Sequence, residues 1–177
     1  AMNRFIFLEK NTYCFFLLMG ESEFGLYDEK NGLRHFGQYP DLITKKEGEM
    51  DAFVYNKVTV AHPTGNKFAA FYAYLKMCRI YGSDGTLLRE VYLDGPVELE
   101  NGMRKAYYSI QPYATDEHIY VLTKEKEGNV LEVWNWEAQI EKRFLLDKDF
   151  DKFIMYDGKL LGFSRELENF VYVYDLK

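Results

Sequence analysis

Cysteine and histidine are scarce in this chain. Its 177 residues include two Cys and three His, and no Cys-x-x-Cys or Cys/His spacing typical of a structural zinc site occurs. Cys14 and Cys78 each lie in an apolar run, which is typical of unpaired core thiols, and we predict that they are not bonded to each other. His35, His62 and His118 are expected at different depths of the fold. The sequence therefore predicts no metal site and no cofactor.

Long hydrophobic runs and excess positive charge are also absent. The longest apolar run, Tyr13–Met19, is far shorter than a membrane span. Glu9 interrupts the basic N-terminal region and no small-residue cleavage site follows Met19, so we expect no signal peptide in the chain as given. Ala1 before Met2 is typical of a residue left by cloning. The net charge of −6 and pI near 5.2 argue against nucleic acid as a partner.

Catalytic and nucleotide-binding motifs are missing as well. The chain contains no P-loop, G-x-G-x-x-G, G-x-S-x-G or H-E-x-x-H sequence. The acidic tract Asp147–Asp151 lacks both the Gly and the closing Glu of a calcium loop, so we interpret it as a solvated connector. The sequence predicts no catalytic residues.

Aromatic residues and tight-turn signals are abundant. The chain has 15 Tyr and 14 Phe, a composition that excludes intrinsic disorder because so many rings require burial. Helical periodicity is nearly absent. Apolar segments are separated by five Asx-Gly pairs, which favour the positive φ angles of hairpin turns. The pairs are Asn31-Gly32, Asp84-Gly85, Asp94-Gly95, Asn101-Gly102 and Asp157-Gly158.

The hairpins form a repeat. One strand in each unit ends in an aromatic residue before a turn, at Tyr27, Tyr81, Trp134 and Tyr174. Each unit is expected to start with an inner strand, at Phe5–Glu9, Phe53–Ala61, Ala106–Tyr113 and Lys152–Tyr156. Four strands a unit and a spacing near 40–50 residues are typical of propeller blades. We therefore predict an all-β antiparallel, propeller-like array of about four four-stranded blades in a single domain, with units at 3–40, 51–95, 105–147 and 150–177; a β-sandwich is the alternative.

Several motifs resemble the TolB-like six-bladed β-propeller proteins of Bacteroidetes. They lie at Phe36–Pro40, Val60–Ala69, Arg79–Tyr81, Gly85–Leu88, Val133–Trp136, Arg143–Asp147, Asp157–Phe163 and Val171–Leu176. The resemblance covers nearly the whole chain, and the chain is similar to the C-terminal part of such a protein. It implies a propeller fold and a family often secreted or lipid-anchored. It implies no established catalytic residues.

These observations favour a non-catalytic binding or scaffold module that recognises a protein, peptide or glycan through loops at one end of the array. Tyr113, beside Pro112 at the end of an inner strand, is the candidate ligand contact. One alternative is a metal-dependent propeller hydrolase, lactonase or lyase, and another is a propeller fragment without an independent role. Because the first and last units have no neighbour on one side, we also expect a homodimer.

Overall fold

The computed structural model describes residues 5–93, 95–125, 128–164 and 170–176, and antiparallel sheets account for nearly all of its regular structure. Sheet 1 contains β1 (Phe5–Leu8), β2 (Thr12–Phe16), β3 (Ser22–Asp28) and β4 (Gly32–Gln38). Helix α1 (Asp51–Val54) precedes sheet 2, which contains β5 (Lys57–Ala61), β6 (Lys67–Tyr72), β7 (Met77–Gly82) and β8 (Leu87–Tyr92).

The second half of the chain forms a short hairpin and two further antiparallel sheets. A two-stranded hairpin, β9 (Leu99–Glu100) and β10 (Met103–Arg104), follows sheet 2. Sheet 3 contains β11 (Tyr113–Ala114), β12 (His118–Lys124), β13 (Asn129–Asn135) and β14 (Ile140–Leu146). Sheet 4 has three strands, β15 (Lys152–Tyr156), β16 (Lys159–Phe163) and β17 (Val171–Asp175). The predicted all-β array of about four blades is confirmed.

One predicted inner strand is partly wrong. The segment Phe53–Ala61 was expected to be extended throughout, but its first two residues belong to helix α1 and β5 begins at Lys57. The helix is held by backbone bonds from Val54 to Met50 and from Tyr55 to Asp51. The Tyr55 hydroxyl accepts the Ile43 amide hydrogen at 3.1 Å, which anchors the preceding loop to this turn. Among the described residues, no helix has the length and apolar character needed to cross a membrane.

Hairpin turns form at Asx-Gly pairs, as the sequence predicts. In Asn101-Gly102 and Asp157-Gly158 both residues have positive φ angles, 51° and 76° in the first and 48° and 71° in the second. Positive φ at both central residues is the signature of the type I′ turn, whose twist matches that of the flanking strands. In the pair at Gly95, Asp94 lies outside the described residues.

Gly85→Val is expected to lower the free energy of unfolding by more than about 1 kcal/mol. Gly85 has a φ of +89°, and a Cβ atom there would lie 2.9 Å from Cγ of Phe36 on the neighbouring sheet. A β-branched side chain resists this φ and would also displace the Phe36 ring. Urea denaturation of the variant beside Gly32→Val, where the φ is +71° but nothing lies within 4 Å, separates the two effects. Equal stability of wild type and Gly85→Val would contradict the prediction.

The four sheets lie side by side, with their inner strands adjacent in the order β1, β5, β11 and β15. A buried apolar cluster fills each of the three gaps, between sheets 1 and 2, sheets 2 and 3, and sheets 3 and 4. Cys14 lies in the first cluster and Cys78 in the second; both thiols are free, and burial raises the pKa of each. Among the described residues no such cluster joins sheet 4 to sheet 1.

The first gap also contains a buried charge cluster. Glu23 on sheet 1 forms ion pairs with Lys57 and Arg79 on sheet 2, and it accepts a hydrogen bond of 2.7 Å from the Tyr72 hydroxyl. The side chains of Glu23, Lys57 and Arg79 are 0%, 5% and 9% exposed. The Lys57 ammonium also lies over the rings of Phe24 and Tyr72, 4.8 Å from each centroid. The cluster therefore joins sheets 1 and 2 through charged groups that are buried away from solvent.

Candidate functional site

A cleft of about 1040 Å³ opens between sheets 3 and 4. One wall is the irregular segment before β11, from Ser109 to Pro112, together with the end of β12. The other wall is the connector after β14 and the inner strand β15. Clefts of this size that combine apolar surface with a few polar groups are the usual places for ligand binding.

The cleft exists because the inner strand of sheet 3 is interrupted. We expected a continuous strand over Ala106–Tyr113, but β11 contains only Tyr113 and Ala114. At the other end of the segment, the Lys124 amide donates to the Tyr107 carbonyl at 3.2 Å and Tyr108 bridges Thr123. Between these points the chain leaves β12, and the side-chain amide of Gln111 donates to the Thr59 carbonyl of sheet 2. Pro112 has no amide hydrogen to give to a strand.

The lining mixes apolar and polar side chains. Its apolar members include Ile110, Leu122 and Phe153, and its polar members include Ser109, Gln111, Thr123, Asn129, Asp149 and Asp151. The side-chain amide of Asn129 donates to the Asp149 carboxylate at 2.7 Å, which fixes the orientation of both side chains. This arrangement offers a ligand hydrogen-bonding groups at fixed positions beside apolar side chains.

Charges around the cleft are balanced. Lys124 and Lys152 stand against Asp149 and Asp151, so the site does not select strongly for a ligand of one sign. Burial, together with the Glu98 carboxylate, raises the pKa of Tyr107 to about 12.

Tyr113, the ligand contact proposed from the sequence, lies in this lining. It is half-buried, pairs with Tyr120 across β11 and β12, and packs in part against the apolar cluster between sheets 3 and 4. Sequence reasoning missed Ser109, Gln111 and Leu122 as lining residues. The signal that could have found the interruption is Gln111-Pro112, because proline breaks strand pairing.

Other large aromatic side chains pack in the core. Tyr72, Tyr107, Tyr108, Trp134 and Trp136 are all buried, as core packing between blades predicts. The acidic tract at 147–151 connects β14 to β15, and its Phe150 is buried in the cluster between sheets 3 and 4.

The three histidines lie in separate surroundings. His62 is buried beside Trp136 and its Nδ1 lies 2.8 Å from the Thr64 hydroxyl. The Nε2 atom of His118 lies 2.9 Å from the Glu141 carboxylate. His35 is exposed on β4. In the part of the chain that the structure describes, no three His, Cys, Asp or Glu side chains come together in a way that could hold a metal ion.

A second cavity, of about 730 Å³, lies beside the β9–β10 hairpin. Arg104 of the hairpin forms a bidentate ion pair with Glu49, with both nitrogen–oxygen distances at 2.7 Å, and so ties the hairpin to the loop before helix α1. The pair lowers the pKa of Glu49 to about 2. Leu99 and Met103 are 67% and 71% exposed on this hairpin.

No family model matches the chain, and no curated protein matches it. Among solved structures, virginiamycin B lyase from Staphylococcus aureus is 9% identical with a TM-score of 0.58, covering 97% of this chain and 54% of that one. Apo AztD from Citrobacter koseri is 14% identical with a TM-score of 0.54, covering 80% and 34%. Sqt1 from Saccharomyces cerevisiae is 10% identical with a TM-score of 0.50, covering 93% and 55%.

These neighbours are β-propeller proteins, and the chain has the propeller fold. It spans about a third to just over a half of the length of each of them. At such low identity the likeness concerns the fold alone.

Proposed function

We propose that the chain is a non-catalytic binding module that recognises an extended peptide segment of a protein partner in the cleft between sheets 3 and 4. The observation that carries the proposal is the interrupted inner strand of sheet 3. Between the pairings at Tyr113 and Tyr108, the edge of β12 faces the cleft without a neighbouring strand over Ser109–Pro112. An exposed strand edge beside side-chain pockets is how many domains bind extended peptides.

The orientation of β12 supports this proposal. The Lys124 amide points to the inner edge, where it meets the Tyr107 carbonyl. Residues two apart in a strand present their amides to the same edge, so Leu122 presents its amide to the cleft. Its side chain and that of Phe153 are buried in the apolar cluster between sheets 3 and 4, and the half-buried Ile110 beside them offers an apolar contact to a bound peptide.

Filling the cleft is expected to weaken peptide binding. Linear peptides selected from a random displayed library on the wild-type chain should bind Ser109→Trp at least about tenfold more weakly, because the indole ring would occupy the cleft from an exposed lining position. Glu29→Trp, on the exposed turn of sheet 1, is the matched control and should bind as wild type does. Fluorescence polarisation with a labelled selected peptide measures both. Equal affinity for Ser109→Trp, or selection of glycans and not peptides in a parallel glycan array, would contradict the proposal.

We further propose that the chain self-associates as a homodimer. The support is the two terminal sheets, each of which has one face that the described residues leave without a neighbouring sheet. Such faces are seldom left in water when they are apolar.

The finer family assignment, to the TolB-like propellers of Bacteroidetes, remains a prediction carried by the turn and strand motifs. The similarity to AztD and virginiamycin B lyase supports the propeller fold that this family shares.

A further inference from the structure

Resting on the proposed self-association, we propose that two copies of this chain close one propeller ring, with sheet 1 of each copy packed on sheet 4 of the other. The free face of sheet 1 is defined here as Phe5, Phe7, Tyr13, Phe15, Tyr27 and Leu33. The free face of sheet 4 is defined as Ile154, Tyr156, Leu161, Phe163, Val171 and Val173. The ring would contain the four sheets of each copy.

The free face of sheet 1 is an aromatic surface. Cross-strand partners place Phe7, Tyr13, Tyr27 and Leu33 in one row, and Phe5 beside Phe15 in the next. The Phe7 and Tyr13 rings meet edge to face with centroids 5.6 Å apart. Phe7 is nevertheless 69% exposed, and Phe5 and Leu33 are each 56% exposed.

The free face of sheet 4 is its apolar counterpart. Ile154, Leu161 and Val173 form one cross-strand row, and Phe163 and Val171 lie in another. Tyr156 is 70% exposed and Val173 is 57% exposed. Tyr156 shares its row with Lys159 and Asp175, whose charged groups lie 3.8 Å apart. The exposed Lys152 lies in the row of Phe163 and Val171.

The low charge of the sheet 1 face favours this association. In a chain with 28% charged residues, the two rows of sheet 1 carry no Asp, Glu, Lys or Arg. Packing the two faces together would therefore bury mainly apolar surface.

The extent of the array points to a second copy as the occupant. The chain aligns with 54% of virginiamycin B lyase, 55% of Sqt1 and 34% of AztD. The four sheets described here therefore correspond to part of a ring, and a second copy would add four more. Pairing sheet 1 with sheet 4 also repeats the arrangement of the three internal gaps, in which opposite faces of successive sheets meet. Two-fold symmetry then makes the two junctions identical.

A charge-swap experiment tests this geometry. In the internal gaps, inner strands of successive sheets are adjacent, so β1 of one copy is expected beside β15 of the other. Phe7→Lys and Tyr156→Glu change the most exposed ring of each face and leave the buried clusters untouched. Met103→Lys, on the β9–β10 hairpin and 71% exposed, is the control. Light scattering behind a sizing column gives the mass, and circular dichroism shows that each variant is folded.

Wild type and Met103→Lys are expected at twice the chain mass of 21.0 kDa. Phe7→Lys and Tyr156→Glu are each expected at the chain mass, because both junctions then bury a lone charge. Mixing these two variants should restore the dimer, since one junction is unchanged and the other brings opposite charges together.

Three results would overturn the ring. A wild-type monomer would also contradict self-association and leave further propeller sheets as the occupants of the two faces. A dimer that persists in both variants would keep self-association but place it on another surface. Loss of the dimer in Phe7→Lys alone would mean that sheet 1 pairs with itself.

Discussion

Replacing Glu23 by Ala is expected to lower the free energy of unfolding by about 3–5 kcal/mol, because it leaves two buried cations without their shared carboxylate. Lys57 is 5% exposed and has no other ion pair in the described residues. Arg79 keeps the Glu90 carboxylate at 2.6 Å and the Gln38 carbonyl at 2.6 Å, so most of the cost falls on Lys57. Urea denaturation of wild type and variant measures the difference.

The loss of stability in Glu23→Ala is expected to depend on pH. Burial lowers the pKa of Lys57 to about 8, below the value of about 10.4 in an unfolded chain. Between these two pH values the unfolded chain binds more protons than the folded one, so the Lys57 contribution to stability rises with pH. Below about pH 8, Lys57 is charged in both states and its full desolvation cost is present. Without Glu23 the pKa falls further, and the variant should gain more stability than wild type between pH 7 and pH 9.

The double variant Glu23→Ala/Lys57→Met is the control for this prediction. Removing both charges should recover most of the lost stability and abolish the extra gain at pH 9. A Glu23→Ala variant within about 1 kcal/mol of wild type would show that Lys57 reaches water when its partner is lost.

Trp134→Ala is expected to lower the free energy of unfolding by about 3–5 kcal/mol as well. Trp134 is fully buried in the gap between sheets 2 and 3, where its ring meets Phe71 edge to face at 5.4 Å. Its indole nitrogen also donates to the Glu132 carboxylate at 3.0 Å, beside the Tyr108 hydroxyl at 3.2 Å. Burial raises the pKa of Glu132 in spite of these donors. The truncation therefore leaves both a large cavity and a less satisfied carboxylate.

Trp134→Phe separates these two losses. It keeps most of the ring volume but removes the N–H donor, so a smaller decrease of roughly 1–3 kcal/mol is expected. Thermal and chemical denaturation of both variants provide the measurement. If Trp134→Phe were as destabilised as Trp134→Ala, the hydrogen bond and not the packing would dominate at this position.

Most of the β structure could be predicted from local signals. The inner strand at Lys152–Tyr156 has the expected bounds, because alternating burial and tight Asx-Gly turns are properties of neighbouring residues. The wrong inner strands lie where non-local contacts compete. Tyr55 bonds to the loop before it, and Gln111 bonds across to sheet 2, and neither partner is visible in a window of sequence.

The candidate cleft was only partly predictable. Tyr113 was singled out for its place beside Pro112 at the end of an inner strand, and it does line the cleft. The other wall comes from Asp149 to Ile154, which is distant in sequence and belongs to the next sheet. A cleft between two sheets depends on how they are spaced, which no single strand specifies.

The sequence by itself determined the class of fold, the turn positions and the repeat of sheets, since these depend on alternation, aromatic content and Asx-Gly conformations within short stretches. Only the tertiary structure decided which charges are buried together. Glu23, Lys57 and Arg79 are separated along the chain but meet in one gap, because face-to-face packing of sheets brings the third strand of one unit against the strands of the next. It also decided which faces remain free, since burial of a sheet face depends on a neighbouring sheet and not on the residues of that sheet.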